Sequence, residues 1–508
     1  MNILLVNPET PDTFWGLRNA LKFIGKKASL PPLGLLTVAG MLPKEWSKRL
    51  TDMNTSRLRD RDIRWADYVF ITAMLIQRAS VDEIVMRCQK LGAKIVAGGP
   101  LFTSFPEDYL HVDHLVLKEA EVTLPPFLAD IEKGCARRIY STHDRPDLHE
   151  TPIPMWDLIN KRKYASMCIQ YSRGCPFDCD FCDVTTLFGH RIRTKTSGQV
   201  VAELETLYVQ GWRGKVFFVD DNFIGNKAAL KRDVLPAVTA WMKQRRYPFV
   251  FNTQASINLA DDDELMQQMV GAGFACVFVG IETPNEQSLS ECNKAQNKNR
   301  DLLDCIARIQ RAGIEVQAGF ILGFDSDNAG IFETLIEFIQ NSGVVTAMVS
   351  LLNAPRGTTL FRRLSEQQRL LRPVTGDNMD CSINFSPKMG MEKLLAGYQK
   401  VVETIYSQQK YCERVLTFLE NYHLPKRRRF HVHLPELRAL CSSIWHLGIM
   451  KSGRRYYWKL MFWAMRRPRY LHLAVTLSIY GYHFREISKL VQARVGSLLS
   501  EDQAVELA

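Results

Sequence analysis

A chain of 508 residues, 46% of them hydrophobic and 23% charged, has room for two or three cores and is not a disordered protein. Its twelve cysteines are spread through that length, and no basic leader or cleavable apolar segment opens the sequence. A secreted disulfide scaffold is therefore excluded and a reducing cytosol is the expected setting. The formal charge of +11 is local: residues 426–469 hold twelve Lys or Arg against one acid, Glu436, and the rest of the chain balances. Such a patch belongs to one C-terminal module, not to a chain that is basic throughout.

The first region, 1–150, alternates short apolar runs with helix-length sequence, the pattern of a parallel α/β sheet of Rossmann-like type. Strands are predicted at 3–6, 68–72, 94–97 and 114–117, and the loops after them should carry function. Gly98 and Gly99 follow the third of these, where a glycine pair permits either close approach to a ligand or a tight strand-to-helix turn. The second region, 151–355, repeats strand and helix about every thirty residues, the pitch of a partial (β/α)6 barrel. Its strands are expected at 167–171, 215–219, 249–253, 276–281, 315–322 and 344–351, most followed by polar or glycine-rich sequence. The third region, 356–508, has a helical pattern; its longest uncharged run, 470–484, is shorter than the ~20 residues of a membrane span.

Just past the first barrel strand stand Cys175, Cys179 and Cys182, spaced C-x3-C-x2-C. Cluster ligation ordinarily takes four cysteines, so three leave one iron of a cubane open for another ligand. A structural zinc site is the alternative, with His190 as the nearest fourth ligand. Arg173, Arg191, Arg193 and Lys195 flank the loop; they could orient a carboxylate or phosphate, and solvent-facing charge is the commoner reading. The stretch from Tyr171 through Ser172, Arg173 and Gly174 to Cys182 resembles the radical S-adenosylmethionine signature in its flanks as well as its spacing. That resemblance implies a [4Fe–4S] cluster on the three cysteines and S-adenosylmethionine bound at the barrel rim.

The family resemblance continues strand by strand. It implies an acid for the methionyl ammonium after the second strand, where Asp220 and Asp221 replace the family's usual Gly-Gly-Glu. Asn252, Gln254 and Ser256 after the third strand and Glu282 after the fourth match positions that contact ribose and carboxylate, and Gly319 to Gly323 match the adenine-contacting backbone. The first region is similar to the cobalamin-binding domain that precedes the barrel in one class of these enzymes, through Pro31 to Leu35, Ala97 to Pro100 with Gly98 and Gly99, and Glu119 to Glu121. It lacks the Asp-x-His-x-x-Gly sequence, so a base-off cobalamin without a lower histidine is expected.

Over nearly its full length the chain resembles the subgroup that contains the hopanoid C-2 methylase. What this implies is a methyl transfer to an unactivated carbon of a hydrophobic, hopanoid- or isoprenoid-like small molecule, with an electron donor such as flavodoxin or ferredoxin. Oxidative cyclisation or rearrangement of a tetrapyrrole or other natural product is the rival reading. Methylthiolation of RNA would need a second cluster, for which the N-terminal region offers only Cys88 and Cys135, and no nucleic-acid partner is expected. Localisation is expected to be cytoplasmic; the basic, aromatic segment 426–469 suits either a peripheral membrane contact or a basic-faced helical domain whose aromatics pack on the barrel.

Overall fold

The computed structural model describes residues 1–425 and 434–506, so Lys426, Arg427, Arg428 and Arg429 of the basic segment lie outside the described residues. The first sheet contains β1 (Asn2–Asn7), β2 (Ser47–Asp52), β3 (Tyr68–Thr72), β4 (Lys94–Gly98), β5 (His114–Val116) and β6 (Ile139–Tyr140), all parallel, in the order β2-β1-β3-β4-β5-β6. Alternation along β1 explains why both faces are covered. Leu4 and Val6 join Ile71 and Ala97 in one core, whereas Ile3 and Leu5 join Phe70 and Val96 in the other. The four apolar strands were expected; β2 and β6 were not, because β2 reads Ser-Lys-Arg-Leu-Thr-Asp with an exposed start and β6 has two residues. Polar, short strands are how a sheet protects its edges.

The second sheet contains β7 (Ser166–Ile169), β10 (Gly214–Phe218), β11 (Phe249–Gln254), β12 (Phe274–Glu282), β13 (Glu315–Leu322) and β14 (Ala347–Leu351), parallel and in sequential order. It is open, with β7 and β14 at its two edges, so it is a partial barrel of six strands as expected. Between β7 and β10 an antiparallel ribbon of β8 (Ser172–Arg173) and β9 (Arg193–Thr194) brackets the cysteine loop. Because every barrel strand runs the same way, the segments after β7, β10, β11, β12, β13 and β14 meet on one rim.

The third region is helical, including Met391–Tyr406, Gln408–Asn421, Leu434–Ser443, Arg454–Met465 and Leu471–Glu506. These helices share one continuous core with the barrel and with residues near the N-terminus. Phe14 stacks on Phe484 with ring centroids 4.5 Å apart, and the Phe14 carbonyl lies 3.1 Å from His483 Nε2. Phe23, in the helix Arg18–Ile24, meets Tyr482 and His446 edge-on. Among the described residues no helix is long and apolar enough to cross a membrane.

Candidate active site

The β8–β9 ribbon holds both ends of the cysteine loop. Gly174 has φ +96°, and a Cβ there would stand 2.9 Å from the carbonyl oxygens of both Gly189 and Arg191, so the entry to the loop requires glycine. The Cys175 amide donates to Gly189 O at 3.3 Å and the Cys182 amide to Cys179 O at 3.0 Å. Burial raises the Cys175 and Cys179 thiols above their ordinary range and pushes Cys182 up to about 12. Thiolates at this place therefore need positive charge beside them, which iron supplies on binding.

Part of that charge is built in. The Lys294 ammonium is 2.6 Å from Glu282 Oε1. Burial opposes its charge, but Glu282 and Cys179 outweigh that and hold the ammonium above its usual range. Gln296 Nε2 lies 3.6 Å from Cys179 Sγ. The cysteines do not converge on a single ion: among the described residues no three His, Cys, Asp or Glu side chains could share one metal. His190 instead turns toward Asp178, 3.9 Å away, and is mostly exposed. A cubane, with one thiolate per iron, fits this donor set better than zinc.

Asp220 and Asp221 sit side by side after β10 but do different things. Asp220 is fully buried, and its oxygens accept from the amides of Tyr171 (3.1 Å) and Ser172 and from Ser172 Oγ (2.6 Å). Burial lifts it to about 6 against those bonds. Its carboxylate is spent on fixing the start of the ribbon. Asp221 is raised to about 7 by burial and by the charges of Asp220 and Asp183, and among the described residues no other residue donates a hydrogen bond to its side chain. Of the two, Asp221 is the carboxylate left to meet a ligand near the thiols.

Asn252 and Gln254 alternate with buried Phe251 and Thr253, so they face the barrel axis. Ser256 is tied to Asn222 and donates to Asn258 Oδ1 at 2.6 Å, which joins the loops after β10 and β11. Glu282 closes β12 with φ +66°, a costly backbone for a residue with a side chain and a mark of a functional constraint. Asn297 Nδ2 holds this bend by donating to Gly280 O (3.0 Å) and Ile281 O (2.9 Å). A Cβ at Gly280 would collide with the Glu282 carboxylate and stand 2.9 Å from Lys294 Nζ. Gly319 makes room for Phe278, whose Cζ would be 2.9 Å from an added Cβ, and Gly323, with φ +107°, donates its amide to Asp327 Oδ2 at 2.9 Å.

Gly98 and Gly99 serve packing in the first sheet. A Cβ on Gly98 would approach Val116 O to 2.6 Å, and Gly99, with φ +96°, turns β4 into the helix Pro100–Ser104 beside Thr72. Among the loops at this end of the sheet, the segment after β6 carries His143, whose Nδ1 lies 3.1 Å from Lys118 Nζ. The C-terminal ends of the two sheets face each other. After β5, Lys118 at φ +64° turns Glu119 inward. Arg173 then bridges Glu119 Oε2 (2.9 Å) and Glu121 Oε1 (2.8 Å), while Arg193 and Arg145 also bind Glu119. Arg173 and Arg193 are thus buried interdomain ligands, a correction to their reading as solvent-facing charge; Lys195 is likewise buried, against Glu203.

The barrel interior is amphipathic. Phe278 lies beside Gln317 on the inward face, and Trp15, from the N-terminal segment, meets it edge-on at 5.1 Å. Neither ring belongs to the packed core. At the opposite end from the rim, Lys215 on β10 lies near the Tyr480 ring (6.0 Å), and Tyr480 and Glu315 hold its ammonium above the usual range. Sequence reasoning missed Trp15, Lys294 and Gln296; the polar run Asn293 to Asn297 between two helices was the available signal.

Family models match in three places: the Radical SAM superfamily at 169–339, the B12 binding domain at 27–128, and a domain of unknown function, DUF4070, at 358–496. An uncharacterized methyltransferase of Synechocystis sp. is 38% identical over 507 residues, covering 99% of this chain and 94% of the relative. The hopanoid C-2 methylase of Rhodopseudomonas palustris is 32% identical over 481 residues, covering 92% and 89%. In fold, the chain is similar to the cobalamin-dependent radical enzyme OxsB (TM-score 0.62, 13% identity, 99% of this chain and 80% of that one). It is also similar to the radical methyltransferase TsrM from Kitasatospora setae (TM-score 0.57, 16% identity, 92% and 99%).

Proposed function

The chain belongs to the cobalamin-dependent radical S-adenosylmethionine methyltransferases, and from that premise we propose that it methylates an unactivated carbon of a hydrophobic, hopanoid- or isoprenoid-like molecule. In this family the cluster supplies the electron that opens S-adenosylmethionine and the corrinoid supplies the methyl group. Cys175, Cys179 and Cys182 are the residues that would hold the cluster, with Lys294 offsetting thiolate charge from behind. Asp221 would bind the methionyl ammonium, and Glu282, Asn252, Gln254 and Ser256 would serve the rest of that cofactor. Asp220, whose oxygens accept from the Tyr171 and Ser172 amides and from Ser172 Oγ, would position the loop. The loops after β1, β3, β4 and β5, including the Gly98–Gly99 turn, would shape the corrinoid site.

The observation that carries the substrate reading is the Trp15–Phe278 pair, an apolar wall on the inward side of the barrel beneath the rim. Such a wall suits a reactant with a large apolar body, and water kept off it cannot quench a carbon radical. The 32% identity to the hopanoid C-2 methylase supports the same class. An electron donor such as flavodoxin or ferredoxin completes the reaction. The test is anaerobic incubation of the enzyme with reductant, methylcobalamin, S-adenosylmethionine labelled in its methyl group, and lipid extracts. A product one CH2 heavier that carries the label supports the reading. A product of unchanged carbon count would place the enzyme with the cyclases, to one of which, an anaerobic magnesium-protoporphyrin IX monomethyl ester cyclase, it is 24% identical.

A further inference from the structure

We propose that one side of the C-terminal helical module is a docking surface for an anionic lipid bilayer, with aromatic side chains entering the interface and cations meeting the headgroups. The helix Arg454–Met465 buries Tyr457, Leu460, Met461 and Ala464. Its other stripe, continued at its C-cap, carries Arg455, Lys459, Phe462 and Arg466, all exposed, with no acid among them. A π-helical turn, Ile444–Met450, is joined to it by a hydrogen bond from Trp458 Nε1 to Gly448 O (3.0 Å), and Trp458 lies 5.9 Å from Phe462. The linked segments together expose Trp445 (56%), Ile449 (49%), Met450 (64%), Phe462 (56%) and Met465 (50%). Large apolar side chains clustered on a soluble surface mark a contact site, and Trp beside Arg and Lys is the composition of a bilayer interface.

The charge pattern selects the partner. Arginines elsewhere are commonly paired, as Arg87, Arg300 and Arg369 are with Asp60, Asp261 and Asp325. Among the described residues, no salt bridge within 4 Å is made by Lys451, Arg454, Arg455, Lys459, Arg466 or Arg467; Glu413, beside Lys459 and Arg455, is the carboxylate nearest this stripe, and it is shared with Lys410. Cations in excess over the neighbouring acids, interleaved with exposed aromatics, complement a surface that is anionic and apolar beneath, which a lipid leaflet is. A cavity beside Lys451, lined by Ser452, Tyr456, Tyr482 and Arg485 together with the Lys489–Glu486 pair, adds three cations against one carboxylate to this side of the module. Lys451 Nζ is 5.5 Å from the Tyr482 ring.

The docking surface goes beyond the substrate reading, and it is measured without turnover, so its failure leaves that reading standing. The experiment is sedimentation of the full-length holoprotein with vesicles of phosphatidylcholine alone or phosphatidylcholine with phosphatidylglycerol. Binding should require phosphatidylglycerol and weaken with salt. The variant R454Q/R455Q/R466Q/R467Q, shown to be folded by retained cobalamin and circular dichroism, should partition about a hundredfold less. W445S/F462S should lose about tenfold while keeping the salt dependence. The proposal is overturned if the wild-type protein stays in solution at low salt, or if the quadruple variant binds as the wild type does. It is also overturned if polyuridylate binds the surface equally well in the wild type and W445S/F462S, which would make it a nucleic-acid surface.

Discussion

Replacing Arg173 by Gln removes the cation that joins the first sheet to the cysteine loop. The Arg173 side chain is 12% exposed and its partners Glu119 and Glu121 are 3% and 6% exposed, so the variant leaves two carboxylates without their shared fork in a place water barely reaches. Breaking a buried pair from one side costs about 3–5 kcal/mol, against the ~0–1 kcal/mol of a surface bridge. Arg193 and Arg145 still bind Glu119 but not Glu121, which puts the expectation at about 3 kcal/mol. The pH dependence has a sign. In the wild type, burial raises Glu121, but the Arg173 hydrogen bonds and charge outweigh it and hold it below its usual range. That contribution is present above the unfolded carboxyl pKa of about 4.3 and is lost as pH falls through the folded value. In the variant, burial acts on Glu121 without Arg173 and raises it, so the deficit should be largest near pH 8 and shrink toward pH 5. The assay is anaerobic urea denaturation of the holoprotein followed by circular dichroism, with R173Q/E119Q/E121Q as control. The triple variant should recover more than half of the loss, since neutral amides cost less to bury than unpaired charges. A deficit in R173Q below about 1 kcal/mol, or one that does not depend on pH, would refute the buried-clamp argument.

Alanine at Cys175, Cys179 or Cys182 should abolish 5′-deoxyadenosine formation, and the triple variant should carry no catalytic cubane by iron and sulfide analysis. D221N should raise the KM for S-adenosylmethionine by about tenfold or more with the cluster retained, since it removes a charge-assisted contact. D220N should instead lower cluster loading, because its carboxylate holds the backbone ahead of Cys175. K294Q should move the cluster potential to more negative values in protein-film voltammetry, as a buried positive charge beside the thiolates is lost. G280A should fold yet lose 5′-deoxyadenosine formation, because the added methyl group displaces Glu282 from Lys294.

Sequence by itself determined the two parallel sheets, the six barrel strands and the cysteine triad. Strand periodicity and loop spacing are local properties, and a run such as Glu315–Leu322 can be buried in few other ways. What it left undecided needed the chain to return on itself. Asp220 and Asp221 are neighbours and read alike in sequence, but only the backbone of Tyr171 and Ser172, nearly fifty residues earlier, shows that one is saturated and the other is not. Arg173 and Arg193 look like surface charge until Glu119 and Glu121 arrive from 52–74 positions away, after the crossovers of another sheet. Trp15 faces Phe278 although 263 positions separate them. Lys294 is an ordinary lysine until the bend at Glu282 folds its carboxylate over Gly280 and sets the ammonium behind Cys179. Each of these is a pairing of groups whose environment is supplied by distant segments. Charge state and burial follow from that environment, which exists only once the two rims have closed on each other.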